Sequence, residues 1–317
     1  MSISAIVPLW NGRDLLARLL DSLDAQTMRA AEVVAVDNGS TDGAADLARA
    51  RGARVIPMGR NAGFAAAVNR GLREAGGEWA AILNTDVELA PGYFEKLAAA
   101  SAPFATGMIL SPAGSLDGTF DLTVRGGVTW RAGAGMPEGP PFDAPCDITS
   151  PPWTAVLFRS EVFARVGYLE ESFESYLEDA DFGLRCAALG IRGRYVPEAR
   201  ARHIGSASLG AWHPEKTRYI ARNQLLLAAR HPAAGTPWRT IGAQLLWGAV
   251  AMRHGAGLAW LRGKAEGLRR FSAARRDAPT YDPVSLRKSL RSNEQFIRRH
   301  NAETYWRLYF LLTGGAK

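Results

Sequence analysis

The first 83 residues alternate short apolar strands with amphipathic helices, and this alternation limits the fold more than any other feature. Ile3-Ser4-Ala5-Ile6-Val7-Pro8 reads as a buried strand closed by proline. Leu15, Leu16, Leu19, Leu20 and Leu23 then recur at helical spacing. Strands are expected at Glu32–Val36, Ala53–Pro57 and Trp79–Leu83, with helices at Ala44–Ala50 and Gly63–Glu74. Strands separated by helices build a parallel, doubly wound sheet, so the chain is expected to be an α/β protein of Rossmann-like, mostly parallel kind.

Three acidic motifs follow strand-like runs. Val36-Asp37-Asn38-Gly39-Ser40-Thr41-Asp42 comes first, then Asn84-Thr85-Asp86, then Tyr176-Leu177-Glu178-Asp179-Ala180-Asp181. A carboxylate just after a buried strand sits at the carboxyl edge of the sheet, where α/β proteins bind ligands. Asp37 can accept an N–H from a nucleobase edge or close an Asx turn, and Asp42 is better suited to capping the next helix. Gly39 permits close approach of another backbone.

Residues 101–150 break the rhythm with six prolines, Pro103 to Pro145, and many glycines. Short antiparallel strands are expected near Thr119–Val124 and Val128–Trp130. The alternation returns with a strand at Thr154–Phe158, helices at Ser160–Val166 and Asp179–Ala188, and a strand at Arg194–Val196. From Pro214 onward the chain reads as helical, with one or two helices over Trp238–Arg270 and a last one over Pro283–Leu312.

Charge divides the chain at nearly the same place. Residues 1–200 hold 18 basic and 25 acidic residues; residues 201–317 hold 20 and 6. The expected organisation is a catalytic domain over 1–212, with a nucleotide half at 1–100 and an acceptor half at 101–212, followed by a basic helical region over 213–317. Cys146 and Cys186 have no metal-type spacing and suggest a reducing compartment. The amino terminus lacks the charged start and apolar core of a signal peptide. Ile241–Met252 is too short for the roughly 20 residues that a spanning helix needs. A cytoplasmic protein, soluble or peripheral at the membrane, is expected.

The ordered motifs resemble those of the family 2 glycosyltransferases, of the fold called GT-A, and look closest to bacterial rhamnosyltransferase-like members. The resemblance spans about residues 3–230 and is weakest across 101–150. It implies an inverting transfer from a nucleoside-diphosphate sugar, thymidine-diphosphate rhamnose or a uridine-diphosphate sugar, to a saccharide or lipid-linked acceptor. It places Pro8, Asp37, Arg60, Asn61, Asn69, Asn84 and Thr85 on the nucleotide side. Asn61 is equally suited to capping the helix behind it. Asn84-Thr85-Asp86 matches the family's DxD position with Asn84 in place of the first aspartate. Asp86, and His203 further on, are then expected to hold Mg2+ or Mn2+, hard cations that often take only one or two carboxylates and complete their shell with phosphate and water.

The Glu178-Asp179 pair matches the segment that supplies the family's general base. Single displacement at an anomeric carbon needs a group to take the acceptor's hydroxyl proton. By position Asp179 is the first choice and Glu178 the second. Asp181 and Arg185, four apart, are suited to pairing on the helix. Arg165-Val166-Gly167-Tyr168-Leu169-Glu170 departs from the family's Gly-Gly-Phe-Asp-Glu run. Trp153 stands where the family commonly has Gly-Ala, as an acceptor-stacking platform or as core.

Other classes fit less well. Pro8-Leu9-Trp10-Asn11-Gly12-Arg13 makes a poor phosphate loop for a nucleotidyltransferase. No nucleic-acid motif accompanies the charge, so no nucleic-acid partner is expected. A catalytically inactive nucleotide-sugar-binding scaffold would have no need of both Asp86 and Asp179. The basic third, with Trp and Leu at helical spacing, suits an anionic membrane surface, a homodimer contact or a solvated helical subdomain.

Overall fold

A computed structural model describes residues 1–204, 212–232 and 237–314. In chain order the elements are β1 (Ile3–Leu9), α1 (Arg13–Asp24), β2 (Glu32–Asp37), α2 (Ala44–Ala50), β3 (Arg54–Pro57), α3 (Phe64–Glu74), β4 (Trp79–Leu83), β5 (Val87–Leu89), α4 (Tyr93–Ala99), β6 (Phe104–Leu110) and β7 (Leu116–Gly118). They continue with β8 (Asp121–Val124), β9 (Val128–Arg131), β10 (Cys146–Ile148), β11 (Ala155–Arg159), α5 (Glu161–Val166), a 3-10 turn (Glu171–Phe173), α6 (Glu178–Ala188) and β12 (Gly193–His203). Five helices close the chain: α7 (Pro214–Arg230), α8 (Pro237–Arg253), α9 (Gly257–Arg276), α10 (Pro283–His300) and α11 (Thr304–Thr313).

The chain divides into two compact units. The first comprises Met1–Asp121, Arg131–Glu174 and Arg192–Ser208; the second comprises Leu122–Trp130, Ser175–Ile191 and Leu209–Lys317. The first unit holds a mixed sheet in the order β10-β12-β6-β11-β4-β1-β2-β3, with β5 beside β12 and β7 beside β6. Strands β4, β1, β2 and β3 run parallel, as the alternation predicts. β11 lies antiparallel between β4 and β6. Leu16, Leu19, Leu20 and Leu23 of α1 are all buried against this sheet, so the leucine stripe is its core face.

The region with broken rhythm conceals β6. Phe104-Ala-Thr-Gly-Met-Ile-Leu110 is buried at every position and pairs on both sides. A strand covered on both faces carries no alternation, which is why its period is silent. β12 runs eleven residues, against the three expected from Arg194-Tyr195-Val196. The strands foreseen near 119–130 form the two-stranded sheet β8-β9.

The second unit is built on α7, which packs along α9. The turn between β8 and β9 belongs to this unit and is sewn to its helices. Asn293 donates to the Thr123 carbonyl at 2.8 Å, Gln244 to the Gly126 carbonyl at 3.2 Å, and Arg125 to the buried Glu294 carboxylate. The stretch expected to form one or two helices forms two, α8 and α9, with Gly255 in the break, and the single helix expected over Pro283–Leu312 is split at Asn301 into α10 and α11.

Candidate functional site

Three loops at the carboxyl edge of the parallel strands are laced together in the first unit. Leu9 of β1 is in register with Asp37 of β2, and Asp37 with Pro57 of β3. Pro8 stands one residue back in β1. Asn11, at φ 58°, accepts from the Thr41 amide at 2.9 Å and donates its own amide to the Ser40 hydroxyl at 2.9 Å. Asp37 accepts from the Ser40 amide at 2.8 Å, which closes the Asx turn. A carboxylate has room for up to about four such bonds, so the turn leaves capacity for a ligand. Asp42 does not cap α2, whose N-cap is Gly43; it accepts from the Ala44 amide two residues on and from the Arg13 amide, which ties the loop to the start of α1.

The loop at 60–63 is held by a residue that the sequence reading passed over. Asn38 is 4% exposed; it donates to the Asn61 side-chain oxygen and the Gly63 carbonyl and accepts from the Ala62 amide. Gly39, at φ 87°, lets the Arg60 backbone pass where a Cβ would come within 3.1 Å of its Cα. The exposed Arg60 is thereby fixed beside the Asp37 turn. Asn61 does not cap α3: the N-cap is Gly63, and the Asn61 oxygen accepts from the Gly63 amide and from Asn38.

Two expected site residues are structural. Asn69 is 1% exposed, donates to the Leu169 carbonyl and to Glu171, and accepts from the Leu169 amide. Both ends of its amide are committed to fixing the segment after α5, so it does not face a nucleotide. Trp153 is 3% exposed, with its ring 5.0 Å from Phe158 and 6.4 Å from Phe163. It takes its core alternative, because an enclosed indole offers no face for stacking.

Asn84, Thr85 and Asp86 leave β4 half-buried, and the Asn84 amide donates to the Thr154 carbonyl at 2.9 Å. Pairing of β5 with β12 sets Val87 opposite His203 and thus brings His203 to Asp86. His203 Nε2 is 3.0 Å from Asp86 Oδ1, and its Nδ1 is 2.9 Å from Asp117 Oδ2. Burial works against an imidazolium here, but the hydrogen bonds to Asp117 and Asp86 outweigh it and push His203 up to about 9. Asp117 comes from β7, in the region of broken rhythm, and no sequence signal singled it out.

Among the described residues no group of three or more His, Cys, Asp or Glu side chains is arranged to hold a metal. The donor set nevertheless fits a divalent cation. Asp86 offers a hard oxygen and His203 a nitrogen at one point, while Asp117 on the far imidazole nitrogen gives the carboxylate–histidine arrangement that orients ligating histidines.

In the second unit, α6 opens on Glu178, which is buried, and Asp179, which is half-buried. A carboxylate in the first turn of a helix is favoured as its anion. The approach is strained: Tyr176 and Leu177 have φ of 70° and 68°. Such residues cost on the order of 1–3 kcal/mol each and persist where their surroundings over-determine them. Asn223 of α7 is one such restraint. Fully buried, it donates to the carbonyls of Ser175 at 2.9 Å and Tyr176 at 2.7 Å. Its signal in the sequence was slight, since it is one of two adjacent amides, Asn223 and Gln224, in a helix of mixed polarity.

Asp181 lies two residues beyond Asp179 and is wholly enclosed. It accepts from Arg185 at 2.9 Å, Arg230 at 2.7 Å and His231 at 2.9 Å. Burial opposes its charge, but Arg185, His231 and Arg230 hold its carboxyl well below the usual carboxylate range. The expected pairing with Arg185 is therefore part of a larger buried cluster.

The fold is that of the GT-A glycosyltransferases. A structure of GalNAc-T7 with UDP, GalNAc and Mn2+ matches 98% of this chain with a TM-score of 0.62 at 16% identity, the chain spanning 56% of that protein's length. The mannosyltransferase PcManGT from Pyrobaculum calidifontis, in complex with GDP-Man and Mn2+, matches 98% of this chain and 85% of its own, with a TM-score of 0.53 at 17% identity. Residues 4–133 match the family described as glycosyl transferase family 2, and residues 148–270 match glycosyl transferase family group 2. The N-acetylglucosaminyl-diphospho-decaprenol L-rhamnosyltransferase of Mycobacterium tuberculosis is 30% identical over 274 residues, 75% of this chain and 87% of that one. The chain belongs to glycosyl transferase family 2.

Proposed function

We propose that the protein moves a sugar, with inversion, from thymidine-diphosphate rhamnose or a uridine-diphosphate sugar to a saccharide or lipid-linked acceptor in the synthesis of a polysaccharide or other glycoconjugate. The observation that carries this reading is the convergence of Asp86 and His203, backed by Asp117, at the end of β4. Similarity to an L-rhamnosyltransferase supports the choice of donor.

On this reading Asp37 and Arg60 take the base and phosphate side, while Pro8, Asn84 and Thr85 border the ribose. Asn38 and Asn61 shape the loop that carries Arg60. Asp86 and His203 hold Mg2+ or Mn2+, which when bound neutralises the diphosphate leaving group. Asp179 takes the acceptor's hydroxyl proton as that oxygen bonds to the anomeric carbon and the bond to the diphosphate breaks, with Glu178 as the alternative base. Asn223 positions this pair by pinning the loop before it. The reaction belongs in the cytoplasm.

Incubation with labelled donors and a panel of saccharide and polyprenyl-diphosphate acceptors tests the reading. A β-linked thymidine-diphosphate rhamnose should give an α-linked product, seen in the anomeric carbon–proton coupling. A product that retains the donor's configuration overturns single displacement. Absence of transfer from every donor, alongside normal nucleotide binding, favours an inactive binder.

A further inference from the structure

The closing helices leave an apolar face uncovered. Of the fifteen large hydrophobic side chains that are exposed among the described residues, eleven fall between Trp238 and Leu312, so the exposure is concentrated in one part of the chain. On α8, Trp238, Ile241, Leu245 and Met252 form one stripe at helical spacing, and Trp238 is 82% exposed. On α9, Leu258, Leu261 and Leu268 do the same. α11 adds Leu308, Leu311 and Leu312, and Leu312 comes within 3.8 Å of where a side chain on Gly242 would begin. The α11 row therefore abuts the α8 stripe.

The stripes on α8 and α9 face away from α7. α9 lays Gly263 and Gly267 against α7, at Arg218, Ala221 and Arg222. On α8, Ala251 belongs to the apolar cluster that includes Ala221, Trp247 packs against that cluster, and Gln244 donates to the Gln224 carbonyl at 3.4 Å. The exposed leucines and Trp238 occupy the opposite arcs of both helices.

Charge narrows the choice of partner. α8, α9 and α11 contain a single acid, Glu266, and Arg218 pairs with it at 2.8 Å. Arg253, Arg262, Arg269 and Arg276 are exposed on the same helices. A second copy docked symmetrically would set these arginines near their own equivalents. An anionic bilayer meets both properties at once, with acyl chains for leucine and tryptophan and phosphate headgroups for arginine. No helix among the described residues is long and apolar enough to cross a membrane, so the surface would lie on the bilayer.

We infer that α8, α9 and α11 form an interfacial surface for an anionic lipid bilayer, with Trp238, Leu245 and Leu311 entering the acyl boundary and Arg262 and Arg269 meeting the headgroups. The inference does not rest on the transfer reaction, since vesicle binding needs neither donor nor turnover.

Co-sedimentation of the full chain with vesicles tests it. Phosphatidylcholine vesicles containing about one-third phosphatidylglycerol should bind the protein, less so as salt shortens the screening length, and pure phosphatidylcholine should bind it at least about tenfold more weakly. A Trp238→Ser, Leu245→Ser, Leu311→Ser variant should need about tenfold more lipid or greater for half-binding. Arg262→Glu with Arg269→Glu should lower binding by about tenfold or more on anionic vesicles only. All five side chains are exposed, so thermal melting like that of the wild type is expected and checks the fold. Failure to sediment with anionic vesicles at low salt overturns the inference. So does a triple variant that binds like the wild type, or a dimer that dissociates on these substitutions and binds no lipid.

Discussion

Two buried charge clusters of this protein are built with opposite proportions. In the first unit one imidazole, His203, stands between two carboxyl groups, Asp86 and Asp117. In the second, one carboxylate, Asp181, stands among two guanidinium groups and an imidazole, from Arg185, Arg230 and His231. The first is formally one negative charge in excess, and its Asp86 side chain is 19% exposed. In the second, the one carboxylate accepts from three basic groups and is sealed from water. On the proposed function, the cluster that is short of positive charge and partly reached by solvent is the one that takes up a cation. A closed cluster with several permanent cations can only hold the structure. Proportion and access, more than the presence of charge, separate a working cluster from a structural one.

Predictions that break or sharpen this contrast follow in order of size. Asp179 and Asp181 share α6 two residues apart, so Asp179→Asn should cut turnover by roughly 10²–10⁴-fold with little change in melting temperature or nucleotide affinity. Near-normal turnover would move the base to Glu178. Asp181→Ala should do the reverse. Breaking a buried ion cluster from one side costs about 3–5 kcal/mol, because its cations are left without their partner. Urea unfolding measures that loss, and a change below about 1 kcal/mol would mean that the cluster is not the strut described here.

Asp117→Asn should weaken Mn2+ affinity by about 10–100-fold in the presence of nucleoside diphosphate, measured by titration calorimetry, since it leaves both expected ligands in place and removes only what orients His203. Equal affinity in variant and wild type would detach Asp117 from the site. The smallest effect belongs to a control. Arg51 is bonded by Asp21 at 2.7 Å and Asp24 at 2.8 Å, the same one-to-two proportion as at His203, but these acids are 68% and 73% exposed. Asp24→Asn should cost under about 1 kcal/mol and leave transfer untouched. A larger loss would show that proportion matters even in water.

The sequence disclosed these parts unevenly, for physical reasons. β1 to β4 and α1 to α3 were legible almost to the residue, because short apolar strands alternate there with amphipathic helices and each is bounded by local turn chemistry. The motif-bearing strand ends were legible because a carboxylate after an apolar run is conspicuous. β6 was silent because it has no period and, unlike the equally buried β4, lies in a proline- and glycine-rich stretch outside the strand–helix alternation. Asp117, Asn38 and Asn223 were silent because their work depends on partners distant along the chain, such as His203, 86 residues from Asp117. Asn69 and Trp153 misled for the same reason: residue type does not reveal which way a side chain is turned.

The irregularity in β12 carries a further consequence. Val196 pairs with Gly107 and Arg200 with Met108, so the strand spends three extra residues where its neighbour advances by one step. A Cβ on Gly107 would stand 2.0 Å from the Ala199 carbonyl oxygen, so this looped-out stretch fits only over glycine. Side chains alternate along a strand, and the length of the excursion therefore sets the parity of everything after it. With three extra residues, His203 turns to Asp86 and Arg202 turns to solvent. With two, Arg202 would take the inward place. On the proposed function, a ring suited to ligating a cation would then be replaced by a guanidinium that carries its own charge.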